Sequence, residues 1–139
     1  KTDAKYDRFF TIAPRLDLKG ENVGGAIPET LGFAGRLTLP DVGPFTLNAT
    51  ASYYWRAAPL TNSATSLTTA PAKSYDQLDA RLSFNNIYDS GLDIGFFAKN
   101  LANNRDILTN AIVSGAVTNR FTEPRTYGVD ITFRFGSER

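Results

Sequence analysis

The 139 residues contain no cysteine, no histidine and no methionine. Disulfides, thiolate nucleophiles, Cys/His zinc sites and Ser-His-Asp triads are therefore all excluded. Charge of either sign is scarce in excess: 15 basic against 14 acidic residues leave a formal charge of +1. A nucleic-acid binder concentrates a basic surplus on one face, and no such surplus exists here. Long apolar runs are missing as well. No stretch of about 18 apolar residues would make a transmembrane helix, and residues 1–8 are polar where a signal peptide would be apolar. The mean hydropathy is −0.25. A strand-built membrane protein is compatible with that value, because alternating strands average out.

What is present is alternation. Helical periodicity is poor throughout, and Thr, Asn, Gly and aromatic residues are frequent, so the chain reads as all-β. Strands are expected at 31–40, 44–57, 75–87, 92–101 and 126–135, with the end of another at 3–10. Pro40-Asp41-Val42-Gly43-Pro44 and Ile87-Tyr88-Asp89-Ser90-Gly91 read as tight hairpin turns. Segments 11–30, 58–74 and 102–125 read as long loops rich in small and polar residues. Loops of that length are uncommon in a compact domain and usually functional.

Within 44–57, Phe45, Leu47, Ala49, Ala51, Tyr53 and Trp55 share one parity, while Thr46, Asn48, Thr50, Ser52, Tyr54 and Arg56 take the other. In 126–135, Tyr127, Val129, Ile131, Phe133 and Phe135 oppose Gly128, Asp130, Thr132 and Arg134. Across all five strands Arg36, Arg56, Asp79, Arg81, Asp93, Lys99, Asp130 and Arg134 fall on the polar parity. That placement fixes register, because a slip of one residue would carry every charge to the apolar face. A half-buried sheet in water would show the same parity, so parity alone does not select lipid.

Three features favour lipid. Short and long connections alternate, as in outer-membrane barrels; strand lengths match the roughly 9–11 tilted residues that span a bilayer. Aromatic residues also gather in two belts. Tyr53, Tyr54, Trp55, Tyr75 and Tyr127 stand at the long-loop ends, and Phe45, Tyr88, Phe133 and Phe135 at the short-turn ends, as an interfacial girdle requires.

Four segments stand in a telling order: Asp3-Ala4-Lys5-Tyr6-Asp7, Tyr75-Asp76-Gln77-Leu78-Asp79-Ala80-Arg81-Leu82, Ala98-Lys99-Asn100-Leu101-Ala102-Asn103-Asn104-Arg105 and Glu123-Pro124-Arg125-Thr126-Tyr127-Gly128-Val129. Together they resemble the C-terminal part of a TonB-dependent outer-membrane receptor, over essentially the whole chain. The resemblance implies an antiparallel up-and-down transmembrane β-barrel of 22 strands with a plugged lumen. Residues 1–139 would supply five to six of those strands, with the plug and its TonB-contacting box lying elsewhere. It further implies residence in the cell outer membrane and TonB-coupled import of a scarce nutrient: a metal chelate, a vitamin-like cofactor or a glycan. The implied partners are outer-membrane lipid, the remaining strands and plug, the TonB complex through that plug, and the barrel-assembly machinery.

With short turns toward the periplasm, 44–57 and 92–101 ascend, and 31–40, 75–87 and 126–135 descend. Tyr127, Val129, Ile131, Phe133 and Phe135 then resemble the C-terminal assembly signal of such barrels, with Gly136-Ser137-Glu138-Arg139 extending beyond it. The eight polar-parity charges are expected to face the lumen as a lattice of unlike pairs. Arg105, Asp106, Arg120 and Arg125 are candidate ligand contacts in the last long loop. No catalytic or metal-ligating constellation and no cofactor motif is visible, so no enzymatic activity is expected. Asn48-Ala49-Thr50 matches a glycosylation sequon inside a strand and is read as fortuitous; glycines 20, 24 and 25 lack phosphate-loop spacing. Two other functions stay open at this point: a smaller outer-membrane pore, and a β-sandwich binding module that buries two apolar faces against each other.

Overall fold

The computed structural model describes residues 1–10, 16–62, 72–113 and 116–135. Among them there is no helix. Seven strands form: β1 (Thr30–Leu39), β2 (Thr46–Arg56), β3 (Tyr75–Ile87), β4 (Leu92–Lys99), β5 (Ile107–Val113), β6 (Ala116–Phe121) and β7 (Thr126–Phe133). Five make one sheet in the order β1-β2-β3-β4-β7, and β5 pairs with β6 in a second sheet of two. The five-stranded sheet is open, with β1 and β7 at its edges.

The expected strands 31–40, 44–57, 75–87, 92–101 and 126–135 therefore all form, within one to two residues at most ends. Two expectations need correction. Residues 3–10 form no strand; they hold only the isolated bridges Lys5↔Asn22 and Phe10↔Asp17. Their charged residues alternate with too few apolar ones to give a face worth pairing. The segment 102–125 is not an irregular loop, because it contains the β5–β6 hairpin. The parts of the other two long loops at 11–15 and 63–71 lie outside the described residues.

The chain divides into two compact units. The first comprises Lys1–Leu31, Trp55–Asp76 and Asn104–Glu123. Its one buried apolar side chain among the described residues is Leu18, 2% exposed. Leu18 is tied down by its neighbours' backbone: its N–H donates to Phe9 O at 3.0 Å and its carbonyl accepts from Glu21 N at 3.0 Å. The second unit comprises Gly32–Tyr54, Gln77–Asn103 and Pro124–Arg139. It holds the body of the five-stranded sheet and, among its described residues, no buried apolar side chain.

Turn chemistry sets the hairpins. Between β1 and β2, Asp41 (φ 54°) and Gly43 (φ 67°) take left-handed conformations, and Val42 N–H donates to Phe45 O. Asp tolerates that region because its short side chain bonds locally, and Gly enters it without steric cost. Between β3 and β4 the pairing shifts, from Phe84↔Ile94 to Ile87↔Leu92. This bulge has a purpose readable in parity. Ile87 stands on the polar parity of its strand, and the extra residue returns it to the apolar face beside Leu92. Asn86, in a left-handed conformation, fills the bulge: its N–H donates to Asp93 Oδ1 at 2.8 Å and its Nδ2 to Asp89 Oδ1 at 2.8 Å.

Candidate functional site

The register of β3, β4 and β7 sorts every side chain onto one of two faces. Leu82↔Phe96↔Val129, Ala80↔Ala98↔Tyr127 and Phe84↔Ile94↔Ile131 form continuous apolar rows across three strands. Phe84 extends this face toward the first turn, its ring 5.0 Å from that of Phe45 and 6.1 Å from that of Phe96. Nothing within the described residues covers these rows. Tyr127 is 77% exposed, Val129 56% and Ile131 69%, and Phe33, Leu37 and Phe133 are exposed too. Full burial of a large apolar side chain is worth roughly 1.5–3 kcal/mol, so these six, each about half to three-quarters exposed, forgo on the order of 5–10 kcal/mol. That is comparable with the whole stability of a typical domain, about 5–15 kcal/mol. The apolar face requires an apolar neighbour.

The opposite face is a polar lattice. Arg81 on β3 reaches across β4 to Asp130 on β7 and makes a bidentate pair, with both N–H···O distances 2.7 Å. The pair passes over Gly95, the residue in register with both Ser83 and Asp130. A Cβ at Gly95 would stand 2.7 Å from Asp130 Oδ2 and nearer still to the Arg81 guanidinium, so glycine is what lets the pair close. One pleat away Phe97 lays its ring over Gly128, where an added Cβ would come within 2.8 Å of the ring. Aromatic cover of a strand glycine restores the contact that the missing side chain would have made. Arg134 pairs with Asp93, and its N–H donates to Gly91 O at 3.0 Å, extending the β4–β7 pairing to the turn.

Three more polar-face groups are placed by hydrogen bonds. Thr38 Oγ1 donates to Asn48 Oδ1 at 2.6 Å, and Asn48 Nδ2 donates to Asn85 Oδ1 at 2.7 Å, a relay across β1, β2 and β3. It also accounts for the sequon residue: Asn48 is a ladder member on the polar face. Asp79 accepts from Gln77 Nε2 at 3.0 Å and from the Asn100 backbone N–H at 2.9 Å. Asn100 has φ 49°, which its short side chain tolerates, and it turns the chain out of β4.

Arg81, Asp93, Lys99 and Asp130 thus share one face, in register, and Arg81–Asp130 and Asp93–Arg134 are unlike pairs as alternation predicts. Arg36 and Lys99 make no ion pair among the described residues. Arg56 has partners of its own. It belongs to the first unit, where its Nη2 donates to Leu108 O at 2.7 Å and its guanidinium carbon lies 4.8 Å from the centre of the Tyr75 ring. Its Nε is buried without a hydrogen-bond partner.

The loop candidates fall in both units. Asp106 sits at the base of the β5–β6 hairpin, where its backbone N–H donates to Thr122 Oγ1 at 3.1 Å and its carbonyl accepts from Thr122 N at 2.9 Å. Arg120 is exposed on β6, in register with Thr109, and Arg105 is exposed just before β5. Arg125 is exposed in the other unit, so the four do not form one cluster within a unit. Asn104 was not singled out by sequence. Its Nδ2 donates to Asp76 Oδ1 at 2.7 Å and to Asp76 O at 2.9 Å, while its own carbonyl accepts from Thr122 Oγ1 at 2.9 Å. Of the assembly-signal residues, Tyr127 to Phe133 line the apolar face of the edge strand β7, and Phe135 follows it, 88% exposed, its ring 4.6 Å from that of Phe133. Among the described residues no group of three or more carboxylates is arranged to hold a metal ion.

Comparison with known proteins returns no match: neither a family model, nor a curated protein, nor a solved structure is similar to this chain.

Proposed function

We propose that this chain is a section of transmembrane barrel wall, from the C-terminal part of a TonB-dependent outer-membrane receptor that imports a scarce nutrient. The observation that carries the reading is the five-stranded sheet whose apolar face is left uncovered by the described residues and whose polar face holds Arg81, Asp93, Lys99 and Asp130 in register. A β-sandwich needs a second sheet over the apolar rows, and within the second unit the described residues form only the five-stranded sheet. Lipid satisfies the apolar face without any further protein. The edges β1 and β7 then need neighbours, because unpaired backbone groups are not tolerated in hydrocarbon. Additional strands of one large barrel supply them. Cargo would be a metal chelate, a vitamin-like cofactor or a glycan, met by loops and inner-face side chains rather than by a metal-ligating cluster.

The test is membrane fractionation of the source cell, followed by a denaturing gel of heated and unheated samples with mass identification of these residues. The reading expects an outer-membrane species whose mobility changes on boiling and whose mass far exceeds 15.2 kDa. A heat-modifiable oligomer of chains no longer than this one would instead indicate a smaller pore. A 15.2 kDa species extracted into buffer without detergent would exclude the membrane assignment.

A further inference from the structure

The polar face of the five-stranded sheet holds a concavity of about 690 Å³, within the roughly 300–1,000 Å³ of small-molecule sites. All the residues that line it belong to the second unit. Arg36 on β1 and Lys99 on β4 both border it, and neither makes an ion pair among the described residues. Arg81 borders it too, with its guanidinium already held by Asp130. The rest of the lining includes the Thr50 and Ser52 hydroxyls, the Asp79 carboxylate and the Phe97 ring.

Each group narrows the occupant. β1 and β4 are three strand positions apart, on the order of 14 Å at about 4.8 Å per strand. Side chains stand roughly perpendicular to a sheet, so the two cations keep much of that separation and suit acidic groups set at intervals. The Arg36 guanidinium takes a planar or tetrahedral oxyanion through paired N–H bonds. Asp79 disfavours a bare polyanion. It accepts from Gln77 Nε2 and the Asn100 N–H, and a carboxylate has capacity for about four such bonds, so it calls for a further donor. Sugar hydroxyls are donors of that kind, and they exchange hydrogen bonds equally with Thr50 and Ser52. The Phe97 ring supplies an apolar surface on which the C–H face of a sugar ring stacks. A metal chelate concentrates its charge around one centre, whereas a glycan spreads acid groups and hydroxyls along its length. We propose that this concavity binds an acidic oligosaccharide, with acid groups on Arg36 and Lys99, hydroxyls on Asp79, Thr50 and Ser52, and a sugar ring on Phe97. The inference rests on the barrel reading, which makes this face the inner one, and it narrows the cargo to a glycan bearing carboxylate or sulfate groups.

The intact receptor, purified in detergent, is applied to an array of neutral, uronic-acid and sulfated oligosaccharides, and the best ligand is then titrated by calorimetry. Acidic oligosaccharides are expected to bind and neutral ones of the same length are not; the array also tells carboxylate from sulfate. Arg36→Gln and Lys99→Gln should each weaken binding about 10- to 100-fold, the loss that follows from removing a charged hydrogen bond. Bound oligosaccharide should also slow acetylation of Lys99. That protection is read on the unaltered protein, so it stands even where a variant fails to fold. The inference is overturned if only neutral oligosaccharides bind, if none binds, or if acidic ones bind equally well to both folded variants. It is likewise overturned if carbodiimide joins Lys99 to a carboxylate of the receptor itself, since a protein group would then hold the site. A heated and unheated gel of the same preparation separates the two ideas. A heat-modifiable outer-membrane barrel that binds no acidic oligosaccharide sinks this inference alone, and absence from the outer membrane sinks the barrel reading beneath it.

Discussion

Arginine placed along the apolar parity of β7 should cost stability in proportion to depth. Val129 lies in the row Leu82↔Phe96↔Val129, near the middle of β3, β4 and β7, so it marks the bilayer centre in the barrel reading. Val129→Arg is expected to cost about 2–4 kcal/mol, the range for a basic residue at the midplane of a barrel. Phe133 is four residues on, about 14 Å along the strand and roughly 10 Å along the membrane normal at ~40° tilt, close to the edge of the ~25 Å apolar band. Phe133→Arg should therefore lose only about 0–1 kcal/mol from charge placement, with Ile131→Arg between the two. Thr132, one residue away on the opposite face and in register with Asp93, is the control. Thr132→Arg should change stability by less than about 0.5 kcal/mol, as surface substitutions usually do. The assay is denaturant titration of the intact barrel refolded in phosphatidylcholine vesicles. Val129→Phe separates lipid from a protein core: fluid lipid has no fixed shape to violate, whereas a packed core loses about 1–3 kcal/mol to an oversized side chain. Equal losses at Val129 and Thr132, or a large loss for Val129→Phe, would refute the reasoning.

Three other substitutions probe the polar face and the first unit. Gly128→Ala drives a Cβ to 2.8 Å from the Phe97 ring and should cost roughly 1–3 kcal/mol by the same titration. Gly91→Ala puts an L-residue at φ 73° with its Cβ 2.8 Å from Arg134 O; a loss of about 1–2 kcal/mol from backbone conformation alone is the expected minimum. Arg56→Gln removes the charged donor to Leu108 O, a bond of about 1.5–3 kcal/mol, so proteolytic cleavage within 107–121 should accelerate roughly 10- to 100-fold while the sheet resists as before.

Alternation made the sheet legible. Arg81, Asp93, Lys99 and Asp130 each meet a polar-parity residue in register, since side chains repeat every two residues and a lipid or core face tolerates no slip. What parity could not show was geometry across strands. Gly95 and Gly128 fall on the polar parity, and only the pairing reveals that each lies beneath a side chain from a neighbour. The bulge at Asn86 was similarly hidden, although Ile87 on the wrong parity was its trace. The β5–β6 hairpin did carry a signal: two apolar runs, Ile107 to Val113 and Ala116 onward, flank a Ser114-Gly115 pair, a favoured turn dipeptide. Length and polar flanks masked it. Parity carries Arg56 to the strand's end but does not show its hydrogen bond to Leu108 O, since that partner lies 52 residues on.

The central claim is that the apolar parity of the sheet meets lipid. These 139 residues contain no cysteine, so single cysteines at each position from 126 to 135, in a protein with any cysteines elsewhere replaced, can carry a nitroxide label. Collision rates with oxygen, which concentrates in hydrocarbon, and with a water-soluble nickel chelate are then measured in the native membrane. The account predicts oxygen maxima at 127, 129, 131 and 133, out of phase with nickel maxima at 128, 130, 132 and 134. Low collision with both reagents at 127, 129, 131 and 133 would mean protein covers that face and would contradict it.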